Sequence, residues 1–219
     1  MTLPRPVAAV VFDMDGLLFD TEKLYGQAIL TAARELGVEM TTEVFLTFIG
    51  TPWAHNRRQM LAAYGDAYPA EELRVTWMEH FEVLLDDGLE LKPGVVELLD
   101  LLDELGLPRA IATSSSYGTV EHHLGAHGLR DRFHHVVASG DYTNSKPAPD
   151  PFLRAAERLG IDPRHCLALE DSLNGVRSAS SAGMMTVMVP DLIQPTAEIR
   201  GLCAGVVASL LDVPALVRA

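Results

Sequence analysis

Val7-Ala8-Ala9-Val10-Val11-Phe12-Asp13-Met14-Asp15-Gly16 is the stretch that decides how this chain folds. A short, unbroken apolar run rich in valine suits a strand buried on both faces, as in a parallel sheet. Two carboxylates follow it directly. Residues two apart on an extended chain point the same way, so Asp13 and Asp15 are predicted to project together. They would do so beyond the carboxyl end of the strand, where open α/β sheets place their ligands. Gly16 then permits a tight turn. Like charges that close are costly unless a cation or an unequal share of protons relieves them.

Similar apolar runs recur at 108–112, 135–138, 166–169, 186–189 and 205–207. Helical patterns lie between them. Val95, Leu98, Leu99, Leu102 and Leu105 fall on one helical face, with Gly106 as a natural stop. Asp150-Pro151 is expected to open another helix as N-cap and first-turn proline, and Leu159-Gly160 to close it. Alternating short strands and helices predict an α/β fold, a doubly wound, mostly parallel sheet. One stretch breaks the alternation. From about residue 21 to 87 no strand pattern is visible. Tyr25, Ala28, Ile29, Ala32, Ala33 and Leu36 trace one helix face ended by Gly37, and helical patterns continue over 42–48, 53–64 and 69–85. The simplest organisation is a helical insert, residues 20–88, after the first strand. Residues 1–19 and 89–219 then form the sheet domain.

The chain has 219 residues, 48% of them hydrophobic and 21% charged, which suits a folded protein with a sizeable core. Its net charge of −13 repels phosphate backbones and anionic lipid, so neither a nucleic-acid nor a membrane partner is expected. A small anionic substrate held by a local metal ion and lysine remains compatible with that charge. Cys166 and Cys203, the two cysteines, make neither a disulfide framework nor a cysteine-rich zinc site. The apolar run near the N-terminus breaks at Asp13, too soon for a signal peptide, and no stretch reaches the roughly 20 apolar residues that span a bilayer. A cytoplasmic location is therefore expected.

Three further signals follow predicted strands. Glu170-Asp171-Ser172 again places acids at a strand end, before a helix with Asn174-Gly175 in its first turn. Acids from two strand ends make a hard oxygen site suited to Mg²⁺, which keeps waters and takes a further ligand from phosphate. Thr113-Ser114-Ser115-Ser116 runs from a strand into a helix, and hydroxyls with helix N-terminal N–H groups can hold an anion. Asn144-Ser145-Lys146-Pro147-Ala148-Pro149-Asp150 fixes a lysine in a proline-flanked loop, where its ammonium can neutralise phosphate and the paired acids.

Acid pair, hydroxyl, lysine and acid pair, in that order, with a helical insert after the first, resemble the haloacid dehalogenase superfamily over the whole chain. The resemblance implies that Asp13 attacks phosphorus to form an aspartyl-phosphate, a known covalent strategy. Asp15 would protonate the leaving oxygen and later activate water. Mg²⁺ would be held by Asp13, the Asp15 backbone carbonyl and Asp171, with Glu170 orienting ligands or a metal-bound water. Thr113, the Ser114 backbone N–H and Lys146 would hold the phosphoryl oxygens. The insert is similar to the family's small helical cap.

Within the family, dehalogenases lack the second acid, so Asp15 argues for phosphoryl transfer. The β-phosphoglucomutases, the alternative reading, carry a histidine past the first motif and an arginine at a cap helix, where this chain has Tyr25 and about Trp53. Phosphonate-cleaving members use a cap lysine, and Lys23, the insert's only lysine, is poorly placed. The segment from Phe12 to Tyr25 looks like sugar-phosphate and pseudouridine-5′-phosphate phosphatases. The expected activity is hydrolysis of a small phosphomonoester. Gly50-Thr51-Pro52-Trp53 with His55, Arg57 and Arg58 is the expected source of specificity. The pairs His122-His123 and His134-His135 are expected to be surface or capping residues.

Overall fold

Strand β1 (Ala9–Phe12) lies inside a six-stranded sheet with all its residues buried. The computed structural model describes residues 2–49, 51 and 53–218. The other strands are β2 (Arg109–Ala112), β3 (His135–Val137), β4 (Cys166–Glu170), β5 (Met185–Met188) and β6 (Gly205–Val206). Their order is β3-β2-β1-β4-β5-β6 and every pairing is parallel, with Val11 opposite both Ala110 and Ala168. The chain steps outward from β1 to β3, then crosses to β4 on the other side of β1. Strand order therefore reverses at β1, and its carboxyl end is a topological switch point. The apolar runs match the strands closely: β1, β2, β4 and β5 are buried at every residue, which demands largely apolar sequence, while the edge strands β3 and β6 are partly exposed.

The helices are α1 (Thr21–Leu36), α2 (Thr42–Leu46), α3 (Trp53–Tyr64), α4 (Ala70–Gly88), α5 (Val95–Glu104), α6 (Tyr117–Ala126), α7 (Asp150–Leu159), α8 (Leu173–Ser181), α9 (Ala197–Leu202) and α10 (Pro214–Val217). One core layer joins Ala9, Val11, Ala110, Ala112 and Ala168 of the sheet to Phe152, Ala155 and Ala156 of α7. Small residues on the strands let the helix approach, and Phe152 fills the space between. Burying such a side chain contributes roughly 1.5–3 kcal/mol.

Two local expectations are corrected. Leu105 lies past the end of α5 and is exposed, and Leu101 is buried instead. Asp150 is the first helical residue of α7, not its N-cap; Pro149 occupies that position.

The chain divides into two compact units, one made of 1–19 and 91–219, the other of Asp20–Glu90. The second contains α1 to α4 and no strand among its described residues. Its core gathers Ala28, Ile29 and Ala32 of α1 with Phe45, Met60, Leu73 and Trp77. The Trp77 indole N–H donates to the Tyr25 carbonyl at 2.9 Å, so α4 is tied to α1 by a polar contact inside an apolar core. Among the described residues no helix is long and apolar enough to cross a membrane.

Candidate active site

The ladder continues past β1: the Asp13 N–H donates to the Leu169 carbonyl at 3.0 Å. Gly16, at φ 83°, then turns the chain, and its N–H donates to the Phe19 carbonyl at 2.9 Å. A side chain at that φ would be strained, which is why glycine stands there. Met14, Leu17, Leu18 and Phe19 are all buried, so this loop is anchored in the core. Asp13 and Asp15 alternate with those anchors.

Lys146 lies between two strand ends. Its ammonium donates to Asp13 Oδ1 and, at 2.6 Å, to Glu170 Oε1. It also stands 4.9 Å from the centre of the Phe152 ring, which links the core layer to the site. The loop that carries it is closed by its own polar groups. The Asn144 backbone N–H and side-chain amide donate to Asp150 Oδ1 at 3.1 and 3.0 Å. Ser178 Oγ of α8 donates to the Ala148 carbonyl at 2.5 Å.

Glu170 is fully buried at the end of β4. Its Oε2 accepts from the Ser172 N–H and hydroxyl, both at 3.0 Å. Ser172, not Asp171, caps α8, accepting from the Gly175 N–H. Asp171 is thereby left to side with Asp13 and Glu170: one carboxylate oxygen from each lies within 4.8 Å of the others, and all three residues are buried.

Of the three buried carboxylates, Asp13 and Glu170 bind the Lys146 ammonium. Burial pushes the Asp13 carboxyl up to about 8; Lys146 opposes this, while Glu170 and Asp15 add to it. Burial alone would lower the Lys146 ammonium, but the Asp13 and Glu170 carboxylates outweigh it and hold it above its ordinary range. An all-oxygen, negatively charged, buried donor set fits a hard divalent cation.

Asp15 belongs to a second group. Its Oδ2 accepts from Ser115 Oγ at 2.7 Å and faces the Thr113 hydroxyl at 3.5 Å. Its carboxylate is not among the three clustered acids. The Thr113 hydroxyl also accepts from the Ser115 N–H at 3.0 Å. Ser114 lies in the same loop with its side chain exposed. Of the expected site residues, then, Asp13, Lys146, Glu170 and Asp171 gather on one side, and Asp15 and Thr113 on the other.

Two neighbours of Asp15, Ser115 and His123, were not among the expected site residues. Ser115 lies two residues after Thr113. His123, expected at the surface, is 1% exposed, packs against Phe19 at 5.4 Å between ring centres, and brings Nδ1 to 4.0 Å from Asp15 Oδ1. The period of α6 carried that signal, since Val120, His123 and Leu124 share its buried face.

The residues expected to set specificity lie in the helical unit. The Arg74 guanidinium sits 4.8 Å over the Trp53 ring, and Arg57 pairs with Glu71 at 3.1 Å. Both contacts join α3 to α4. His55 is half-buried and Arg58 exposed, while Gly50 and Pro52 lie outside the described residues.

The chain is similar to known proteins over most of its length. The model of the haloacid dehalogenase-like hydrolase family matches residues 10–189. A Drosophila melanogaster protein named "Probable pseudouridine-5′-phosphatase" is 38% identical over 200 residues, 85% of this chain and 83% of its own length. Hexitol phosphatase B of Escherichia coli K12 is 32% identical over 204 residues, 87% of this chain and 86% of its own. The crystal structure of CbbY from Rhodobacter sphaeroides in complex with phosphate superposes with a TM-score of 0.76 at 28% identity, covering 94% of this chain and 96% of that one.

Proposed function

The chain belongs to the haloacid dehalogenase-like hydrolases, and from that premise we propose that it is a Mg²⁺-dependent phosphatase of small phosphorylated metabolites working through an aspartyl-phosphate. It is a hydrolase of phosphoric monoesters, like the phosphatases it resembles. The observation that carries the finer reading is the single buried lysine joining Asp13 to Glu170 beside Asp171.

Lys146 binds one oxygen of Asp13 and so orients the other toward an incoming phosphorus. Asp13 attacks, the bond from phosphorus to the ester oxygen breaks, and the proton on Asp15 moves to that oxygen. Asp15, now a carboxylate, takes a proton from the water that attacks the aspartyl-phosphate, and Asp13 and inorganic phosphate are released. Thr113, the Ser114 N–H and Lys146 hold the phosphoryl oxygens. Asp13, Asp171 and the Asp15 carbonyl would hold the cation, with Glu170 fixing Lys146 and the cation's surroundings. A cation bound there would supply a positive field that keeps Asp13 ionised and shields the phosphoryl charge. Most of the rate enhancement is positioning and electrostatic stabilisation of a loose transition state.

Residues 20–88 act, in this reading, as the cap that selects the leaving group, through side chains near Trp53 and His55. A screen of phosphorylated sugars and nucleotides, scored by kcat/KM, tests the proposal. Release of inorganic phosphate from one of them, with Mg²⁺ required, is the expected result. Conversion of β-glucose 1-phosphate to glucose 6-phosphate without phosphate release would overturn it in favour of a mutase.

A further inference from the structure

His123 presents two buried nitrogens that the scheme above does not use. Neither has a hydrogen-bond partner among the described residues. Buried polar groups nearly always have one, because desolvation is otherwise left without compensation. Phe19 and His122 pack on the imidazole, at 5.4 and 5.8 Å between ring centres, and restrict its plane. Nδ1 faces Asp15 Oδ1 at 4.0 Å, while the other oxygen of Asp15 is engaged by Ser115. The two oxygens of one carboxyl group therefore meet two different protein donors, one in contact and one just out of reach.

We propose that His123 is a positioning residue for Asp15, its Nδ1–H donating to Asp15 Oδ1 as that carboxyl gives its proton to the leaving oxygen. This rests on the reading of Asp15 as acid and base given above. In the step, an Asp13 oxygen bonds to phosphorus, the bond from phosphorus to the ester oxygen breaks, and the Asp15 proton goes to that oxygen. Asp15 becomes a carboxylate, and His123 keeps its own proton. A donor is held more strongly by a carboxylate than by a neutral acid, so the contact strengthens in the transition state. The present 4.0 Å lies beyond hydrogen-bond reach. A small rotation of the Asp15 carboxyl about its Ser115 contact closes the gap.

The test compares kcat/KM on the best alkyl phosphate with kcat/KM on acetyl phosphate, whose leaving group needs no proton. Both values report steps up to phosphoenzyme formation, so the later attack of water does not enter. His123→Phe keeps the aromatic packing and removes the donor. It is expected to lose about 10- to 100-fold on the alkyl ester and under about 3-fold on acetyl phosphate. His123→Asn, whose amide nitrogen stands near the place of Nδ1, should recover much of the loss, and His123→Gln, which mimics Nε2, should not. Equal losses on both esters, or equal behaviour of the Asn and Gln variants, would overturn the proposal. If His123→Phe does not fold, the contrast between Asn and Gln decides alone. Asp15→Asn is run beside them. If it too loses both esters equally, the reading of Asp15 falls; if it discriminates and the His123 variants do not, only the role of His123 falls.

Discussion

A methyl group on Gly175 would stand 1.8 Å from Glu170 Oε1 and 1.9 Å from its carboxyl carbon. The first turn of α8 is thus shaped around the carboxylate that holds Lys146. Gly175→Ala would push Glu170 off both Lys146 and Ser172. It is expected to cost about 1–3 kcal/mol by overpacking, and to lower phosphatase activity more than that stability loss explains. Gly118→Ala in α6 is the control, since a methyl there meets nothing closer than Ser116 Oγ at 3.8 Å. Urea unfolding and activity of the two variants check this. Equal effects would mean that the Glu170 cradle does not matter.

Asp13→Asn should leave the fold intact and reduce turnover by at least about 10³-fold, because an amide does not attack phosphorus. It removes one of three clustered carboxylates, so the thermal midpoint of the metal-free protein should hold or rise. Near-normal phosphate release would remove Asp13 from the role of nucleophile.

The clustered donors are all oxygens, so Mg²⁺ should support activity and chelation should abolish it reversibly. Ca²⁺ should inhibit, since its larger, looser shell can draw both Asp13 oxygens into coordination and spoil the attack. Activity is measured after EDTA treatment and re-addition of each ion. Full turnover after rigorous chelation would contradict the scheme.

Arg158, Tyr117 and Asp141 form a polar cluster apart from the three clustered acids, and it links stability to pH. Arg158 donates to Asp141 at 2.7 Å, and Tyr117 donates to the same carboxylate at 2.5 Å. The Arg158 guanidinium, ahead of the Tyr117 hydroxyl and the Ala138 N–H, holds the Asp141 carboxyl well below the usual carboxylate range. Below about pH 4 the unfolded chain therefore binds the proton that the folded Asp141 refuses, and stability falls as pH falls. Its stabilisation is fully present above that pH. Asp141→Asn should flatten the dependence of unfolding free energy on pH below about 4 relative to the parent. An unchanged slope would show that the pair does not couple to folding.

What the sequence alone determined is what local pattern encodes. Continuous apolar runs revealed the buried strands of a parallel sheet, and the helical period between Tyr25 and Leu36 revealed α1, because burial of a face imposes its own spacing. Acids, hydroxyls and a lysine at the ends of those runs marked the site. The tertiary structure alone decided the partners. Lys146 meets Asp13 across 133 residues and Glu170 across 24, and Ser115 meets Asp15 across 100. Those meetings depend on strand order, with β1 between β2 and β4, and on loops closed by Asn144 and Ser178. Burial of His123 could be read from the period of α6, but its facing Asp15 could not. Spacing along a helix says which side is inside; only the packed sheet says what the inside holds.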